Sequence, residues 1–182
     1  MAEIAALKLI VPSDVTHTGG SASVSATGKV TFSDTQYLDV EGIFSSTHDN
    51  YLIVMQGTGD NGRDISYQYI TNGSIEAAVG AYTRQRLRSE SNSVTGLRDT
   101  LDMARLSTSS SSNSGYHLYI YAPAIAQPTA SRSVTACAYS GAFIDDYAVT
   151  YSQSTAHTGI RFRANPNTYN ITGSLTVYGL SQ

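Results

Sequence analysis

Three arginines alternate along TRQRLR, at Arg84, Arg86 and Arg88, and two more along IRFR, at Arg161 and Arg163. Successive side chains of a strand point to opposite faces, so each set projects its guanidinium groups from one face. A planar guanidinium fork matches a carboxylate or phosphate with two parallel hydrogen bonds. Two uses follow: capture of an acidic group on a bacterial surface polysaccharide, or pairing with Asp and Glu on adjacent strands or subunits, which is the commoner one. Tyrosine is the second unusual resource, with 13 copies against no tryptophan. In YHLYIYA, Leu118 and Ile120 can face a core while Tyr119 and Tyr121 face outward, where a ring with a polar tip suits a subunit interface or a sugar. Tyr67 with Tyr69, and Tyr147 with Tyr151, share strand faces in the same way. Subunit contact or plain sheet packing outranks glycan binding as the use of these rings.

Residues for catalysis are not grouped. Asp145 and Asp146 could in principle serve acid/base hydrolysis of a sugar, but neighbours on a strand point to opposite faces and cannot flank one bond. His17, His48, His117 and His157 stand far apart, with no pair at metal-ligand spacing. Cys137 lies among Thr135, Ala136 and Ala138 and reads as a small buried strand residue without an activated thiol. In GTGDNGRD, Asp60, Asn61 and Asp64 could offer oxygens to calcium, yet the spacing departs from the helix-loop-helix calcium pattern and a hairpin turn accounts for the same residues. The expectation is a protein without metal, cofactor or enzymatic activity.

The 182 residues fit one domain. Apolar residues make up 41% of the chain and charged residues only 14%, against about a quarter in an average soluble domain. The surface must therefore be built from Ser, Thr, Asn, Gln and Tyr, as in extracellular assemblies and subunit interfaces. A net charge of -3 lacks the basic footprint of a nucleic-acid binder. The opening MAEIAALKLIVPSD has neither a signal-peptide layout nor the length to insert in a membrane, so synthesis and folding in a cytoplasm are expected.

The elements that must position these residues are strands. Short β-rich runs recur along the chain, and Asn61-Gly62 and Asn72-Gly73 supply the positive φ angles of tight hairpins. The pattern predicts an all-β fold, an antiparallel β-sandwich of jelly-roll type over 15–182. Residues 1–14, with Ile4, Leu7, Leu9 and Ile10, form either an N-terminal attachment arm or the first strand. The best helical candidates are this opening and Leu97 to Leu106, the latter equally open to strand or loop. The polar tract Ser107 to Ser114 predicts an exposed loop. In DVEGIFSSTHDNYLIVM, Asp39 to Met55, two apolar runs flank a polar corner; Tyr51, Ile53 and Met55 oppose Leu52 and Val54. A strand apolar on both faces is buried between layers or against a neighbouring subunit.

SATGKVTFSDTQYLDVEGIFSSTHDNYLIVM, YTRQRLRSESNSVTGLRDT, YIYAPAIAQPTASRSVTA and ITGSLTVYGL occur in this order over Ser25 to Leu180. Together they resemble a family of virion structural proteins of tailed bacteriophages, notably those of marine bacteria and cyanobacteria. The most specific elements are the FSSTHDNYLIV corner and GSLTVYGL. The resemblance implies a virion component, commonly a homotrimer that also contacts other virion proteins and, in a fibre, a host surface glycan. No long shaft, collagen-like repeat or coiled coil precedes the domain, which leaves a short tail fibre, a tip protein or a capsid-decorating cement protein. A polysaccharide-degrading fibre is disfavoured by the missing carboxylate pair.

Overall fold

A computed structural model describes residues 7–107, 114–137 and 143–180. In chain order, β1 spans Leu7–Ile10, β2 Asp14–Thr18, β3 Ser21–Val24, β4 Val30–Thr35, β5 Tyr37–Glu41, β6 Asn50–Gly59, β7 Asp64–Thr71 and β8 Ser74–Ile75. Then follow β9 Tyr82–Glu90, β10 Ser93–Leu101, β11 Ala104–Arg105, β12 Ser114–Tyr121, β13 Gln127–Cys137, β14 Phe143–Thr155, β15 Gly159–Asn165 and β16 Ile171–Leu180. Among the described residues no helix is long and apolar enough to cross a membrane.

Two antiparallel sheets result. The larger runs β10-β9-β14-β13-β12-β6-β16-β4-β3, with β1 also paired to β16; the smaller runs β11-β7-β15-β5-β2, with β8 also on β7. The predicted all-β, two-sheet architecture is therefore present. Their facing sides enclose the core, in which Val30, Phe32, Leu38, Val40, Ile53, Ile160 and Phe162 are almost completely buried. Each such side chain contributes about 1.5 to 3 kcal/mol when removed from water. Asn72 and Gly73 adopt φ of 48° and 78° in the β7–β8 hairpin, whereas Asn61 and Gly62 adopt 52° and 71° in a short 3-10 turn that carries the chain from β6 of the larger sheet to β7 of the smaller, so the hairpin expected there is instead a crossover between sheets.

The tyrosines carry much of this core. Tyr51, Tyr67, Tyr69, Tyr82, Tyr116, Tyr147 and Tyr151 are all fully buried, so the face that Tyr67 shares with Tyr69 and the one that Tyr147 shares with Tyr151 are core faces. With no tryptophan and few phenylalanines, tyrosine supplies the bulk, and its hydroxyl needs a partner inside. The Tyr67 hydroxyl meets Ser131 Oγ at 2.6 Å and ties β7 to β13 across the two sheets. Tyr82 donates to the Glu76 carbonyl at 2.8 Å and accepts from the Tyr69 amide at 2.9 Å. Tyr69, Tyr82, Tyr151 and His157 form one aromatic cluster, the Tyr69 and His157 rings stacking at 4.4 Å.

The polar corner before β6 is locked in a related way. The Tyr51 hydroxyl accepts from the Ser45 amide at 2.8 Å and donates to the Ser45 carbonyl at 2.7 Å. Phe44 and His48 meet the same ring edge-on, at 5.0 and 6.0 Å. Gly179 lies opposite Tyr51 in the β16–β6 ladder, and a Cβ there would stand 2.3 Å from the His48 ring. The two most distinctive motifs of the chain thus touch, and only glycine leaves room for the imidazole.

Two readings left open by the sequence are decided, and one expectation changes. The segment Leu97 to Leu106 contains no helix: it continues β10, in register with β9 from Ser93 to Leu101, and then forms β11 on β7. A lone ten-residue helix is marginal, whereas the ladder to β9 satisfies the same backbone groups. Ser107 and Ser114 are buried rather than exposed, and 108–113 lie outside the described residues. Leu7, Leu9 and Ile10 belong to β1 and pair with β16 over Leu180, Tyr178 and Val177, so this stretch is a strand of the sheet; Ile4 lies outside the described residues.

Candidate functional site

The arginine row of β9 faces inward. Directly opposed residues share a face, and Arg84 and Arg88 stand opposite Asp99 of β10 and Asp145 of β14. Arg84, 3% exposed, grips both oxygens of Asp99, and these hydrogen bonds hold the Asp99 carboxyl below its ordinary pKa. Arg88 forks Asp145 at 2.8 and 2.9 Å, its guanidinium 4.1 Å from the centre of the Phe143 ring. Arg105 pairs with Asp64, whose pKa burial nevertheless raises. Arg86 lies beside Tyr147, whose hydroxyl burial pushes up to about 12. Arg84 and Arg88 are thus engaged by carboxylates of the neighbouring strands. Alternation divides a strand into two faces but does not say which turns inward, and here the apolar Leu87 is the one exposed.

Arg161 and Arg163 lie on the outer side of the smaller sheet. Arg161 forks Asp39 of β5 at 2.6 Å through both nitrogens, and both guanidinium groups cover the Tyr37 ring. This too is a cross-strand pair. Asp60 and Asp64 turn to different partners, Asp60 to the Asn170 backbone and Asp64 to Arg105. Among the described residues no three His, Cys, Asp or Glu side chains converge as a metal cluster. Asp145 faces inward to Arg88 while Asp146 faces outward to Arg132.

The outer face of the larger sheet is the feature with binding geometry. Its register aligns side chains in rows across the strands. One row runs Arg98, Gln85, Ala148, Arg132, Tyr119, Leu52, Tyr178 and Leu9; the next runs Thr100, Thr83, Thr150, Ala130, Tyr121, Asn50, Leu180 and Leu7. The β1–β16–β6 end of these rows is apolar and uncharged, with Leu7 and Leu9 exposed by 54% and 40%. The β10–β9–β14–β13 end carries small residues in the middle and long polar ones around them. That difference in height leaves a trough of about 450 Å³, floored by Ala130, Ala148 and Thr150 and walled by Gln85, Arg98, Tyr121 and Arg132. A second depression of about 300 Å³ lies between Tyr119, Tyr121, Arg132 and Val134. Tyr121 is 44% exposed and Tyr119 half-buried, while Leu118 and Ile120 face the core. Arg132 forks Asp146 at 3.0 and 2.6 Å, which raises the pKa of its guanidinium.

Sequence reading identifies Tyr119 and Tyr121 on this face and misses Arg98, Arg132 and Gln85 as their neighbours. The missing signal is register, because these residues come from four strands separated in sequence. No protein-family model matches the chain, and no curated protein matches it.

Proposed function

We propose that this chain is a virion structural protein of a tailed bacteriophage, a non-catalytic short tail-fibre or tip module that attaches the particle to its host surface. The observation that carries the reading is the open outer face of the larger sheet, where Tyr119, Tyr121 and Arg132 border two adjoining depressions on a scaffold held by its own core. A rigid β frame presenting an aromatic and polar face is suited to recognition rather than to bond chemistry. The reading agrees with the family resemblance of the FSSTHDNYLIV and GSLTVYGL motifs, which meet at His48 and Gly179. Purified protein added before infection should reduce phage adsorption to host cells in proportion to its concentration. Unchanged adsorption, with specific antibodies decorating heads rather than tails, would sink the attachment reading in favour of a cement protein.

The proposal includes a homotrimer. β6 is apolar on both sides, and the smaller sheet covers only the side bearing Tyr51, Ile53 and Met55; Leu52 and Val54 face outward beside Leu9 and Tyr178. A threefold axis along this uncharged stripe brings the same residues of three copies together as a cover. Leu9→Asp should convert the trimer to monomer by light scattering without altering far-ultraviolet dichroism. A wild-type monomer, or a variant that keeps trimer mass, counts against this contact.

A further inference from the structure

We propose that the trough over β10, β9, β14 and β13 binds an acidic saccharide unit, one carrying a carboxylate or a sulfate; this rests on the attachment reading. Arg98 and Arg132 stand three strands apart in one row, roughly 14 Å at ordinary strand spacing. Arg132 is already paired with Asp146, whereas Arg98 is exposed and makes no ion pair among the described residues. The trough therefore keeps one uncompensated positive charge at its β10 end. Ala130 and Ala148 let a ring approach the sheet closely, and Thr83, Thr150 and Gln85 supply the neutral donors and acceptors that sugar hydroxyls need. The Tyr121 ring, at the opposite side from Arg98, offers an apolar face with a polar tip for stacking. A volume near 450 Å³ falls in the range of small-molecule sites. An apolar ligand would leave Arg98 and the threonines unused, and a nucleic acid would meet a chain of net charge -3.

The test is titration calorimetry of the intact protein with acidic disaccharides, digalacturonate for the carboxylate and a monosulfated carrageenan disaccharide for the sulfate, each against its uncharged counterpart. At least one acidic probe should bind at least tenfold more tightly than its counterpart. Arg98→Gln should weaken that binding by about tenfold, the size of a lost charge-assisted hydrogen bond. Tyr121→Ala should weaken charged and uncharged probes alike. Both positions are exposed, so melting temperature should stay unchanged and separates ligand loss from unfolding. Absence of binding to both acidic probes, equal affinity for charged and uncharged partners, or indifference to Arg98→Gln overturns the proposal. The two readings separate in the adsorption assay. If wild-type protein blocks phage and Arg98→Gln blocks equally well, the trough fails and attachment stands; if acidic disaccharides bind but adsorption is unaffected, the trough stands and attachment fails.

Discussion

Asp145→Asn is expected to cost about 3 to 5 kcal/mol of unfolding free energy, the scale for removing one partner of a buried ion pair. The Asp145 side chain is fully buried on the inner face of β14 and receives both hydrogen bonds of the Arg88 fork, at 2.8 and 2.9 Å. Asparagine keeps the shape and removes the charge, so the Arg88 guanidinium, only 17% exposed, is left with Glu90 Oε2 at 3.6 Å as its ion-pair partner among the described residues. The adjacent residue supplies the control. Asp146 forks Arg132 on the outer face, where Arg132 is 57% exposed, and solvent-screened pairs of this kind add little to stability. Asp146→Asn should therefore leave the denaturation midpoint almost unmoved. Equal effects of the two substitutions in urea titration would refute the assignment of Asp145 to an internal charge network.

Acid should weaken the fold through His157. The imidazole is 1% exposed, stacked at 4.4 Å on Tyr69 and met edge-on by Tyr151 at 5.2 Å, with Nδ1 3.1 Å from the Thr71 hydroxyl. Burial pushes its pKa down to about 4, partly countered by the nearby Glu76 carboxylate. An unfolded histidine titrates near 6.5. Between those values the unfolded chain binds the proton and the folded chain does not. The contribution is therefore fully present above about pH 6.5 and is lost progressively as pH falls toward 4, a total of roughly 3 kcal/mol. Asp99, held low by Arg84, adds acid sensitivity only below its ordinary pKa of 3.8, and Asp64, raised by burial, works in the opposite direction. Urea midpoints measured from pH 7.5 to 4.5 should fall, and His157→Gln should flatten the slope. A slope that His157→Gln leaves intact would assign the acid sensitivity elsewhere.

Legibility in the sequence followed the physical range of each interaction. Short-range rules placed the Asn72-Gly73 hairpin, the positive φ at Asn61 and Gly62 though not the sheet that the following strand joins, the alternation of Leu118 and Ile120 against Tyr119 and Tyr121, and the opposite faces of Asp145 and Asp146. All depend on a few consecutive residues. The direction of the β9 arginines was not legible, because it depends on Asp99 and Asp145, placed opposite them only by strand pairing. The same holds for the burial of Tyr67 and Tyr151, whose hydroxyl partners Ser131 and Glu76 are brought to them only by the fold. The Leu97 to Leu106 segment carries apolar residues compatible with either period, and the free partner edge of β9 decides it. The trough is least visible of all: Arg98, Gln85, Ala148 and Arg132 become one row only after three ladders are registered.

The position of β16 bears on how the protein is made. Its residues Ile171–Leu180 fill the slot between β6 on one side and β4 and β1 on the other. During synthesis those three earlier strands emerge first and wait, their backbone N–H and C=O groups unpaired along the edges that β16 will fill, until the segment that joins them leaves the ribosome. Closing such distant contacts carries a large loop entropy, so the middle of the larger sheet assembles late and slowly. Crowded unfinished chains are then exposed to strand exchange with one another. Where many copies are translated together, a chaperone has its greatest effect in this interval.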